Sequence, residues 1–177
     1  MSFWEVISVD ETKSISFDVQ MNEEYLSDFL THHTYTSFSG IAQLVIGFLG
    51  FFAMIFFFFF QHDLQNGLIF LVLDVLIFFY VPYQNTKKAK KQAQNDAFKK
   101  PLHYTISEEG LTVEQDGESQ TVKWRNIQKL TSTRKSYLVY LGKLNAIVLP
   151  FGELGDKRGK AIELLKEYVP AGRIKIK

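Results

Sequence analysis

Asp74 is the residue whose type and setting most demand chemistry. It is the one charged side chain in the apolar stretch Gly67 to Tyr83, GLIFLVLDVLIFFYVPY, and stands near its centre. An ionisable group in such a place is costly and ordinarily faces protein or water, where it can serve helix assembly or carry a proton or ion. Gly47 and Gly50, in the GFLG of the preceding apolar stretch, permit close helix approach. Antiparallel pairing of the two stretches sets Asp74 level with Gly50 and brings its carboxyl against main chain or a second copy of the chain. A structural or assembly role is therefore the stronger expectation, ahead of tolerated burial as a neutral acid and of proton- or ion-linked work. Two spans enclose little of a pathway, so transport through Asp74 would need an oligomer.

Lys87, Lys88, Lys90 and Lys91 follow directly after that stretch. Facing anionic lipid headgroups, each would gain on the order of 1 kcal/mol. Nucleic acid is the rival partner for such a run, but the adjoining apolar stretch explains it sufficiently, and no nucleic-acid role is expected. His32 and His33 are adjacent and point apart on a helix, and Asp28 with His32 is the only helically spaced metal-capable pair nearby. Two ligands do not make a metal site. His62, beside Asp63, and His103 have no partner visible in the sequence. Trp124, between Lys123 and Arg125, reads as a core anchor rather than a ligand platform, given the area an indole buries. In GELGDKRGK, Gly159 and Lys160 are followed by Ala161 rather than the Ser or Thr of a phosphate loop, so the run is expected to be a turn with Asp156 capping a helix. Ser107, Ser119, Ser132 and Ser136 lie outside any GxSxG, and the chain has no cysteine. Nothing positive supports an enzyme, a cofactor or a metal, and a non-enzymatic role is expected.

The elements that position these residues begin with the two apolar stretches. The first, Gly40 to Phe60, runs 21 residues without a charge, enough helix for roughly 30 Å of hydrocarbon. Eight phenylalanines among residues 48 to 60 leave it no polar face, which makes lipid a simpler surrounding than a soluble core. The spacing thus predicts a transmembrane hairpin with spans 40–60 and 67–83, joined by Gln61 to Asn66. The connection has no Lys or Arg, whereas residues 84–100 carry six lysines, so the positive-inside bias places the carboxyl-terminal part in the cytoplasm. An even number of spans returns residues 1–39 to the same side. Those first residues hold one lysine against seven acids and decide little themselves. The first apolar run starts too late for a cleaved signal peptide.

Lys13 to Gln20 alternates as a half-buried strand, with Ile15, Phe17 and Val19 on one face. Asn22 then caps a helix from Glu23 to about Phe38. The basic segment 84–100 favours helix and can prolong the second span. From Pro101 on, short alternating runs separated by Glu109-Gly110 and Asp116-Gly117 predict antiparallel hairpins: Tyr104 to Ile106, Leu111 to Val113, and Val122 with Trp124. Further strands are expected at Ile127 to Thr133, Tyr137 to Leu141 and Ala146 to Leu149, before a helix from about Asp156 to Tyr168 that Pro170 ends. The result is an α+β membrane protein, a two-helix hairpin plus a small antiparallel sheet or partly open barrel capped by a carboxyl-terminal helix. Residues 101–177 are few for an independent core, so the strand before the hairpin is expected to join them as one split cytoplasmic domain.

The order of a strand, a helix ending in FLTHHTYTSFS, a hairpin, HYTISEEGLTVEQDGESQTVKWRNIQKL and NAIVLPFGEL resembles the YcxB-like family of bacterial membrane proteins. The matching residues are Gly110, Trp124 with Ile127, and Ile147 to Pro150. Phe151 replaces a frequent basic residue, and Leu154 a frequent phenylalanine. The resemblance implies a pleckstrin-homology-like domain over 101–177 and a bacterial cytoplasmic membrane location with both termini inside. It supplies no catalytic residues. The expected partners are anionic lipid, a protein, or another copy of the chain.

Overall fold

The computed structural model describes residues 13–143 and 145–176. They form two compact units, one of residues up to 25 and from 95 on, the other of residues 26–94.

The first unit holds two four-stranded sheets. One has the order β1 (Ile15–Val19), β2 (Leu102–Ser107), β3 (Gly110–Gln115) and β4 (Glu118–Val122), with every pair antiparallel. The alternation in β1 does what its period demands. Ile15, Phe17 and Val19 are buried, and Phe17 meets its cross-strand partner Tyr104 edge to face with ring centroids 5.8 Å apart. On the opposite face Ser16 and Thr105 share a hydrogen bond of 2.8 Å. Asp116 and Gly117 have φ of 53° and 81°, the left-handed pair that a two-residue hairpin turn requires. At Gly110 φ is 152° and a Cβ would stand 2.3 Å from the Val122 carbonyl oxygen, so only glycine lets β3 approach β4 there.

The second sheet has the order β7 (Ala146–Pro150), β6 (Ser136–Tyr140), β5 (Lys129–Ser132) and β8 (Ile174–Lys175), the last pairing parallel to β5. The helix between β7 and β8, Arg158–Tyr168, buries Ala161, Leu164 and Leu165. Ile106 and Leu111 from the first sheet, Leu130, Leu138 and Leu149 from the second, and Leu165 are sealed from solvent, so both sheets and the helix furnish the core.

The second unit contains most of α1 (Glu23–Thr36) and two long helices, α2 (Phe38–Phe60) and α3 (Leu64–Ala93). Asn22 caps α1 by accepting from Tyr25 N at 2.9 Å. Ser37 caps α2, accepting from Gly40 N, and Asp63 caps α3, accepting from both the backbone and side-chain nitrogens of Asn66. Each long helix includes one π-helical turn, at Phe56–Phe60 and Leu76–Tyr80.

Several boundaries differ from those read in the sequence. The connection shrinks to residues 61–63 because Asp63 caps a helix that takes in Leu64 to Asn66. The second long helix runs without interruption through Pro82, near the start of a turn where its missing N–H is tolerated after the π-helical turn, and into the lysine run. Trp124 lies in a 3-10 turn (Trp124–Asn126), not a strand, and Asp156 lies in another (Gly155–Lys157) and does not cap the final helix, which starts at Arg158 without a side-chain cap. A short helix at Asp96–Lys99 and strand β8 carry too few apolar positions to reveal themselves by periodicity.

Candidate functional site

The two long helices are apolar and long enough to cross a membrane, at 23 and 30 residues, and little of either apolar stretch is covered. Phe52, Phe59, Phe60 and Phe79 are all more than three-fifths exposed. What α2 and α3 do bury is a seam of small residues. A Cβ on Gly47 would meet Ile77 and Phe78 at 2.9 Å, and one on Gly67 would meet Phe58 at 2.7 Å. The absent side chains are thus what lets the two backbones close.

Asp74 lies in this seam, 6% exposed. A Cβ on Gly50 would be 2.6 Å from its Oδ1, so the carboxyl occupies the space the glycine leaves. Both carboxyl oxygens are sealed and have no hydrogen-bond partner among the described residues. The side chain therefore faces its own hairpin and not the outer surface of the pair.

Beyond the apolar part of α3, Asn85 and Ala89 face inward, and Asn85 Nδ2 donates to Thr34 Oγ1 at 2.9 Å. Lys87, Lys88, Lys90 and Lys91 are all exposed. At roughly 100° per residue, Lys87, Lys90 and Lys91 project from the side opposite Asn85 and Ala89, and Lys88 from the flank. Lys87 Nζ stands over the Tyr83 ring at 4.8 Å. The buried Asn85 escaped the sequence reading because a lone asparagine in a lysine run carries no periodic signal.

His103 Nδ1 pairs with Asp18 Oδ1 at 2.7 Å across β1 and β2, a partner 85 residues away that no local pattern could indicate. His62, at φ 53°, sits in the short connection. No group of three metal-capable side chains occurs among the described residues, and Asp28, His32 and His33 form none. Trp124 is only half-buried. Its Nε1 donates to the carbonyls of Ser107 and Glu108, both at 3.0 Å, and its ring stacks on Tyr168 at 5.3 Å, so it clamps the β2–β3 turn to the final helix instead of filling the core. Glu24 pairs with Lys135 at 2.5 Å, and Tyr25 donates to Glu153 at 3.4 Å. Burial first, and Glu153 after it, raises the Tyr25 phenol above its ordinary pKa.

The model of the family described as YcxB-like protein matches residues 106–167, taking in Gly110, Trp124, Ile127 and Ile147 to Pro150. No curated protein and no solved structure is matched by the chain.

Proposed function

From the YcxB-like character of residues 106–167, we propose that the chain is a non-enzymatic protein of the bacterial cytoplasmic membrane. Its α2–α3 hairpin crosses the bilayer, and its pleckstrin-homology-like sheet unit is held at the inner leaflet to bind a protein partner, a lipid headgroup or another copy of the chain. The observation that carries the reading is the bare apolar surface of α2 and α3, followed in the same helix by a one-sided lysine face. Apolar exposure on that scale is costly in water and favourable in lipid. The pairing of β1 with β2 supports an even number of crossings, because strands flanking the hairpin can share a sheet only on one side of a membrane. The lysines supply the sign, favouring the cytoplasm for that side.

Cysteine labelling tests the arrangement on a chain without native cysteine. Gln65→Cys should react with an impermeant thiol reagent in intact cells, and Ser119→Cys on β4 only after permeabilisation. Labelling of Ser119→Cys in intact cells would overturn it. Recovery of neither a partner nor an oligomer from detergent extracts, with no lipid preference of the sheet unit, would sink the interaction role.

A second reading, a small oligomeric transport or channel subunit, rests on the sealed, unpartnered carboxyl of Asp74. Asp74→Leu that preserves folding, assembly and phenotype excludes it.

A further inference from the structure

One end of the second sheet gathers positive charge without any internal counter-charge. Residues 123–129 and 171–176 contain Lys123, Arg125, Lys129, Arg173 and Lys175 and not one Asp or Glu. The parallel register, Leu130 with Ile174 and Thr131 with Lys175, lays Lys129 and Lys175 on neighbouring strands, whose backbones run about 4.8 Å apart. Partial burial, and after it the charge of Lys175, holds the Lys129 ammonium below the ordinary lysine range. Lys129 Nζ also stands over the Tyr140 ring, 5.5 Å from its centroid.

Arg173 completes the group. It is half-buried, and its Nη1 donates to the carbonyl oxygens of Arg125 at 2.8 Å and Ile127 at 2.5 Å. Those bonds aim the planar guanidinium while leaving its other nitrogens unspent. Neither they nor Lys175 Nζ have a hydrogen-bond or ion-pair partner among the described residues. The register that pairs Leu130 with Ile174 sets residue 173 opposite Lys129, and an arginine fork oriented by main chain at a strand position next to two lysine positions suits the several acceptor oxygens and the charge, near −2, of a phosphate group. A surface that merely needed solubility would scatter its charges or interleave acids among them.

We propose that Lys129, Arg173 and Lys175 form a binding site for a phosphate group, with Arg173 as the directional donor and the two lysines as point charges. The phosphate can belong to a soluble ion or monoester or to a lipid headgroup, since the recognition chemistry is the same. The site lies wholly on the sheet unit and does not depend on the hairpin's placement in a bilayer.

The test uses the full-length protein in uncharged detergent micelles, following thermal unfolding against inorganic phosphate, with chloride at matched ionic strength as reference. Phosphate should stabilise saturably and chloride should not. Lys129→Gln and Lys175→Gln should each weaken the apparent Kd about tenfold, the loss of one charge-assisted hydrogen bond. Neither should lower the phosphate-free midpoint, because each relieves repulsion. Lys175 is exposed, so its variant reads binding even if Lys129→Gln disturbs packing over Tyr140. Short-chain phosphatidic acid and glycerol phosphate then separate the sources: earlier saturation by the lipid assigns a headgroup, and equal saturation a soluble phosphate. Equal stabilisation by phosphate and chloride, a response that never saturates, or a wild-type response in Lys175→Gln would overturn the proposal.

Discussion

At Gly50 and Asp74 a missing side chain and a carboxyl share one volume, so the two positions should be energetically coupled. Gly50→Ala places a methyl 2.6 Å from Oδ1, and overpacking of this kind costs about 1–3 kcal/mol. Combined with Asp74→Ala the same substitution should cost at least about 1 kcal/mol less, a difference that a double-mutant cycle of unfolding in detergent measures. Strict additivity would mean that the carboxyl does not fill the glycine's space. Tyr104 makes a pH prediction in the sheet unit. It is 3% exposed, and burial raises its phenol above the ordinary range. The folded chain therefore keeps a proton that the unfolded chain releases near pH 10. The contribution is fully present below about pH 10 and is lost as pH rises further, because unfolding then releases protons. Between about pH 9 and 11, Tyr104→Phe should lose less stability than the wild type. Parallel denaturation midpoints across that range would show that this phenol is not responsible.

The lysine face of α3 is the property of an element, since it exists only because the helix continues beyond its apolar part. Had residues 84–93 been a loop, the four ammonium groups would have no common side. On the proposed membrane reading, replacing Lys87, Lys88, Lys90 and Lys91 together with Gln keeps helix propensity and removes about 1 kcal/mol of headgroup attraction per site. The expected outcome is a lower ratio of copurified anionic to zwitterionic lipid, and a wild-type ratio that falls toward the variant's as salt rises. An unchanged ratio would remove the headgroup role from these residues. The two π-helical turns and the small-residue seam have the opposite visibility. Uninterrupted apolar length announces that α2 and α3 are helices, but which glycines meet which aromatic rings depends on how the pair packs.

At the scale of the whole molecule, the hairpin is inserted into the sheet unit between its first strand and the rest. Ile15, Phe17 and Val19 of β1 cover core that residues 101–177 alone would leave bare. Residues 13–25 joined to 95–177 through a flexible linker should therefore fold cooperatively, whereas residues 101–177 without β1 should not. Near-ultraviolet circular dichroism and a thermal melt of both fragments check this, and a cooperative melt of the shorter one would make β1 dispensable.

Sequence by itself determined the local features, because each depends on a few neighbouring residues. The apolar lengths, the capping by Asn22, the Asp-Gly hairpin turn and the strand alternation all follow from periodicity and backbone preference within about ten residues. It also placed Asp74 level with Gly50, since antiparallel pairing across a short connection leaves little freedom. Tertiary structure alone decided what depends on residues far apart in the chain. It paired His103 with Asp18, made Trp124 a clamp rather than a core side chain, ran β8 parallel to β5, and set Arg173 against the carbonyls of Arg125 and Ile127. No short pattern encodes these contacts, because they become favourable only after both sheets have closed around a common core and brought distant segments within reach.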